Sequence, residues 1–109
     1  MMKVHAGMLN ETLTLETSTE SEQDDGSVPI SWSFSDSVPA WVRTLGGTEL
    51  LEAQQMTPRA DHKIVVRTIA GLRPGSFRWK RDGKVLSIVA VRAVDHRRRW
   101  MECACREEP

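Results

Sequence analysis

Two cysteines, three adjacent arginines and a run of carboxylates are the residues of this 109-residue chain whose types could do chemistry. Cys103 and Cys105 stand two apart in an alternating segment, so on a strand both thiols point to one face. A thiolate metal site needs about four ligands, usually with two or more residues between paired cysteines. His5, His62 and His96 are scattered and give no ligand spacing. The pair therefore reads as two apolar core positions, with no metal site and no cofactor. Arg97, Arg98 and Arg99 run directly into Trp100, the sharpest local signal. A basic triplet beside an aromatic can bind phosphate and stack a base. A basic surface facing an acidic protein partner is another option, but the plainer second reading is a solvated hairpin turn whose Trp100 enters the core as the next strand begins. With equal numbers of acids and bases in the chain, the second reading is favoured.

The carboxylates offer no acid–base chemistry. Glu20, Glu22, Asp24 and Asp25 crowd a stretch from Ser18 to Ser27 that has no apolar side chain. Nothing there would raise a pKa or exclude water. No Ser/His/Asp arrangement surrounds a glycine turn, and Gly46-Gly47 is not a phosphate-binding loop. No catalytic residue is assigned, and the expectation is a protein that is not an enzyme. The charges are nonetheless unevenly placed. Residues 1–42 hold seven acids against Lys3 alone, whereas residues 43–109 hold fourteen bases against eight acids. If the opposite charges lie on opposite sides of the fold, copies of the chain could attract one another head to side.

The elements that position these residues read as strands. Glu11 to Thr17 alternates polar and apolar with period two, and the acidic run from Ser18 to Val28 follows as an exposed flexible loop. Ile30 to Phe34 resumes the alternation, with Ile30, Trp32 and Phe34 on one face. Pro39 restricts Val38 to Arg43 to an edge, or to pairing that begins after the proline. Thr48 to Met56 contains good helix formers between Gly46-Gly47 and Pro58, which suggests one short helix. His62 to Ile69, Phe77 to Arg81, Lys84 to Val91 or Ala93, and Arg99 to Cys105 then follow as strands. Asp82-Gly83 is a two-residue hairpin turn. About six short strands with one helix and long loops predict a mainly β fold, a small antiparallel β-barrel. Closure would also remove exposed strand edges. Of the four tryptophans, Trp32, Trp41, Trp79 and Trp100, two or three are expected in the core and the rest at an interface.

Length bounds the chain to a single domain over residues 1–109 with a thin core. No apolar run reaches the length of a membrane span. Met1 to Leu9 lacks the apolar block of a signal peptide, so the expectation is synthesis in the cytoplasm.

The order of the signals carries a resemblance. Gly7 to Leu15 leads into an acidic turn ending at Asp25-Gly26, followed by Trp32. Trp41 to Met56 precedes His62 to Arg67; Arg78, Asp82-Gly83-Lys84, Ile88 to Val91 and an arginine-rich closing strand complete the series. From about Gly7 to Glu107 this resembles the head–tail joining proteins of tailed bacteriophages, also called head closure, head completion or stopper proteins. The chain departs from the pattern at Asn10 and Glu11, at Leu50 and Leu51, and at Leu86, where the family often carries basic or aromatic residues.

The resemblance implies a structural part of the phage neck, made in the bacterial host cytoplasm and located in the virion. Such a part forms a ring under the portal and adaptor, retains packaged DNA and docks the tail. Its implied partners are the portal or adaptor ring, tail proteins and further copies of itself. Passing contact with DNA and a monomeric state in isolation are options, and no membrane or cofactor is implied. Carried onto this chain, Thr48, Glu49, Leu50, Leu51, Glu52, Gln54, Gln55 and Met56 form a segment facing the channel or a neighbouring subunit. A short helix covering one end of the barrel is the alternative. Glu20, Glu22, Asp24 and Asp25 lie in the loop expected to reach an adjacent ring, and Arg97 to Arg99 form the basic contact. Two other functions fit the same sequence: a small nucleic-acid-binding barrel using Trp79, Trp100 and the arginines, and a tail completion protein of similar fold.

Overall fold

The computed structural model describes residues 4–20, 24–47 and 60–109. After a 3-10 turn at Ala6–Met8, six strands follow: β1 (Glu11–Glu20), β2 (Ile30–Thr44), β3 (His62–Arg67), β4 (Phe77–Arg81), β5 (Lys84–Ala93) and β6 (Trp100–Glu107). They close into an antiparallel barrel in the order β1-β2-β3-β6-β5-β4. The expected fold class is thus what the chain adopts. The expected helix over Thr48 to Met56 lies outside the described residues.

The core explains the closure. Leu13, Leu15, Val38, Ala40, Ile64, Val66, Trp79, Leu86, Ile88, Cys103 and Cys105 project inward from every strand, and Leu72 plugs in from a loop. Each strand thus contributes one face to a single interior, as its alternation demands. Trp79 is fully buried and is the largest side chain of the core. Its indole N–H finds no partner of ordinary hydrogen-bond geometry. It does bear on the Cys103 sulfur, a weak acceptor.

Asp61 ties one end of the barrel together. Its backbone N–H donates to the Cys105 carbonyl at 2.8 Å, and its own carbonyl accepts from Leu45 N–H at 2.8 Å. Its carboxylate accepts the Glu107 N–H at 3.1 Å and lies 2.6 Å from His62 Nδ1. Three chain segments therefore meet on one residue just before β3.

Two strand expectations change. The polar run starting at Ser18 is not a loop from its first residue, because β1 continues through Ser18, Thr19 and Glu20 opposite Trp32, Ser31 and Ile30. A ladder needs backbone partners rather than apolar side chains. Ser18 N–H also donates to the Ser76 carbonyl at 2.9 Å on the other side. Likewise Ile30–Phe34 and Val38–Arg43 are one continuous strand.

Pro39 is compatible with that strand because β2 meets β3 only from Trp41 onward. The missing N–H falls on the side β3 has not yet reached. From Ile30 to Ala40, β2 thus pairs with β1 alone among the described residues. Ser31, Ser33, Ser35, Ser37, Asp36 and Pro39 make that edge unattractive to adventitious strands. Because β1 pairs with β4 only over Thr14–Thr17, Ser18–Glu20 and Ile30–Trp32 run on as a two-stranded wing beyond the wall, with Phe34 at its base, in a molecule of 50 × 27 × 27 Å.

Candidate contact surfaces

The wing owes its outer face to one extra residue. Along the barrel wall Leu13 pairs with Val38 and Leu15 with Asp36, but the next pair is Glu16 with Phe34. Ser35 is left over as a β-bulge. Side chains of paired residues share a face, so the bulge places Phe34, Trp32 and Ile30 with Glu16, Ser18 and Glu20 on the outside. Without it the same three residues would have fallen on the inner face, in line with Val38 and Ala40. Phe34 is 66%, Ile30 55% and Val28 50% exposed, and no other large apolar side chains are as open among the described residues.

Trp32 is held in place within this stripe. The Arg78 guanidinium lies 4.4 Å above its ring, and Arg78 Nε donates to Glu16 Oε1 at 2.7 Å. A carboxylate, a guanidinium and an indole are thereby stacked across β1, β4 and β2. Toward the other end of the same strands Arg81 reaches Glu11 with two parallel bonds of 2.9 and 2.8 Å. That bidentate pair, with further pull from Asp82 and Glu107, raises the Arg81 pKa above its ordinary value.

Beyond Glu20 the wing turns through exposed acids. Asp25 accepts the Ser27 hydroxyl at 2.7 Å and the Ser27 N–H at 3.0 Å, and these bonds hold its carboxyl below the ordinary range. Asp24 is exposed beside it. Of the acids expected to reach a neighbouring ring, Glu20, Asp24 and Asp25 therefore sit at or near the wing tip, and Glu22 lies outside the described residues. The whole segment Thr48, Glu49, Leu50, Leu51, Glu52, Gln54, Gln55 and Met56 also lies outside them.

The arginine triplet occupies the turn between β5 and β6, and all three residues are exposed. Asp95 builds this turn. It accepts the Arg99 N–H at 2.8 Å, the Trp100 N–H at 3.3 Å and Arg99 Nε at 3.1 Å. Partial burial alone would raise its pKa, but the bonds from Arg99 and Trp100 outweigh that and hold it low. Arg98 takes a φ of 54°, in the left-handed region.

Trp100 is 5% exposed, and the Arg67 guanidinium covers its ring at 4.7 Å. Trp79 is sealed in the core. Neither offers a face to a base, which deprives the nucleic-acid reading of its stacking platform. Cys103 and Cys105 are buried, and burial pushes the Cys103 thiol up to about 12 and Cys105 well above its ordinary value. No group of three or more His, Cys, Asp or Glu residues that could hold a metal occurs among the described residues.

The described residues thus form a closed barrel with an apolar stripe and an arginine turn exposed on its outside. The family model of phage head completion proteins matches residues 4–108, and the chain belongs to that family. This makes it a structural component of a phage head, located in the virion and in contact with other phage structural proteins.

Among solved structures, protein SF1141 from Shigella flexneri 2a shares the fold with a TM-score of 0.69 and 21% identity. The match covers 90% of this chain and 91% of that one. A chain in the virion of a native gene transfer agent particle shares it with a TM-score of 0.62 and 22% identity, over 91% and 94% of the two chains. No curated protein matches the sequence.

The sequence set Ile30, Trp32 and Phe34 on one face without telling which way that face points, and it left Val38 to Arg43 as a separate segment. The signal that could have shown the direction is Ser35-Asp36, where the apolar alternation breaks.

Proposed function

We propose that this chain is the head closure subunit of a phage neck, assembled as a ring beneath the portal and adaptor. In that position it retains the packaged genome and presents the surface on which the tail docks. The observation that carries the reading is membership of the head completion family along nearly the whole chain. The gene transfer agent particle, whose virion holds a chain of the same fold, supports it by analogy. The physical features agree. A small closed core provides a rigid body, while the wing and the arginine turn extend contact surface outward from it. The family resemblance assigns the segment from Thr48 to Met56 to the channel or to a neighbouring subunit. Immunogold labelling of intact particles tests the position. Label at the junction of head and tail is expected, and label confined to the tail tip or to the capsid shell contradicts the proposal.

A further inference from the structure

Among the described residues, the wing and the arginine turn are exposed surfaces on one rim of the barrel. β1 runs out to Glu20 and β2 returns from Ile30, so the wing leaves at the end where β5 stops at Ala93 and β6 starts at Trp100. Pairing of β3 with both β2 and β6 carries that direction around the wall, since all contacts are antiparallel. In the closed order β1-β2-β3-β6-β5-β4, the β1–β2 pair and the β6–β5 pair are diametrically opposed. The wing and the arginine turn therefore stand on opposite sides of the same end.

Their chemistries are complementary. The wing presents Ile30 and Phe34 on its outer face, with Glu20 and Asp24 near the tip. Neither acid makes an ion pair among the described residues, in contrast to Glu11 and Glu16. On the far side Arg97 and Arg98 are exposed and make no ion pair there either, whereas Arg99 is held by Asp95. An acidic surround repels nucleic-acid phosphates and anionic lipid headgroups, so the apolar stripe is suited to a basic protein surface. The chain itself carries one at the matching height.

We infer that the wing of one copy docks against the arginine turn of the next copy, and that this contact joins neighbouring subunits of the ring. The inference rests on the proposed neck ring and names the surfaces that would build it. A contact between two different patches is heterologous, so it continues past a dimer, and it closes into a ring where a docking ring turns each copy by a fixed fraction of a circle relative to the last. A few apolar side chains with rim charges fall short of the roughly 800 Å² per partner of a stable interface. The contact is thus weak in dilute solution and forms when copies are held side by side on a docking ring.

The test uses particles carrying the full-length chain with Phe34→Cys and Arg97→Cys together, treated with a flexible bismaleimide. The native thiols are buried with raised pKa values and do not compete. A ladder of cross-linked multimers that requires both substitutions is expected. Dimers from Phe34→Cys alone would show wing-to-wing pairing and overturn the inference. So would the absence of a ladder in particles whose necks contain the chain, although the neck assignment itself would then stand. Absence of the chain from the necks contradicts both readings. An independent measurement uses charge reversal. Arg97→Glu with Arg98→Glu lowers incorporation several-fold, and adding Asp24→Lys with Asp25→Lys to the same chain restores it. Failure of the second pair to restore incorporation overturns the charge pairing.

Discussion

Phe34 stands opposite Glu16 across the first two strands, although the pair before it is Leu15 with Asp36. That single step in register turns the apolar stripe of the wing away from the core. It separates residues that hold the barrel together from residues available to a partner.

The separation has a direct consequence for mutation. Trp79→Ala empties the centre of the core and should cost about 3–5 kcal/mol, measured as a drop in the urea midpoint. Phe34→Ser changes only exposed surface and should stay within about 0.5 kcal/mol of wild type. In particles the order reverses for folded protein: Phe34→Ser reduces incorporation into necks. A large loss of stability for Phe34→Ser would mean that the side chain packs inward.

Arg78 joins Glu16 to Trp32. Its replacement by Ala removes a partly exposed ion pair and a cation–π contact, each worth up to about 1 kcal/mol. A double-mutant cycle on Arg78 and Glu16 should return a coupling of roughly 0.5–1 kcal/mol that weakens with added salt. A coupling of zero would mean that the pair does not order the wing.

Arg98 separates stability from assembly in the other direction. Its φ of 54° suits glycine better than a side chain bearing a Cβ. Arg98→Gly should raise the thermal midpoint, by about 1 kcal/mol in stability, while weakening assembly through loss of the charge. Unchanged assembly would remove Arg98 from the contact.

The buried thiols set a pH limit. The Cys103 thiol rises from an ordinary 9.0 to about 12 in the folded chain, and Cys105 also rises. Below the unfolded value both states keep their protons and the thiols add no pH dependence. Above it the unfolded chain ionises first, so stability falls as pH climbs from about 9 toward 12, by up to about 1.4 kcal/mol per pH unit and thiol. Urea midpoints across that range, with Cys103→Ala and Cys105→Ala showing a flatter decline, check the sign.

Much of the barrel was legible because strand alternation and turn chemistry act locally. Phe77–Arg81, Asp82-Gly83 and Lys84–Ala93 form the hairpin that their residues specify. The reading of Cys103 and Cys105 as apolar core positions rested on the same alternation, and both thiols are buried in the barrel core. What local pattern could not carry was register. The bulge at Ser35 depends on how β1 aligns with β2, and the run from Ser18 to Glu20 becomes strand only because β2 and Ser76 supply its backbone partners. The joining of Ile30–Phe34 to Val38–Arg43 was hidden by Pro39 for the same reason. Which acids and arginines share a rim is a property of the closed strand order, and no stretch of sequence contains it.

The segment assigned to the channel by resemblance can be probed by deletion. Removing Leu50 to Met56 should leave a folded barrel that still joins particles, while the capsids lose their DNA. Full retention of DNA would place closure elsewhere in the chain.

The most direct test of the neck assignment is electron microscopy of DNA-packed particles made without this protein. Heads that leak DNA or fail to join tails, and that recover when the purified chain is added, are the expected result. Heads that keep their genome and join tails normally in its absence would contradict the assignment.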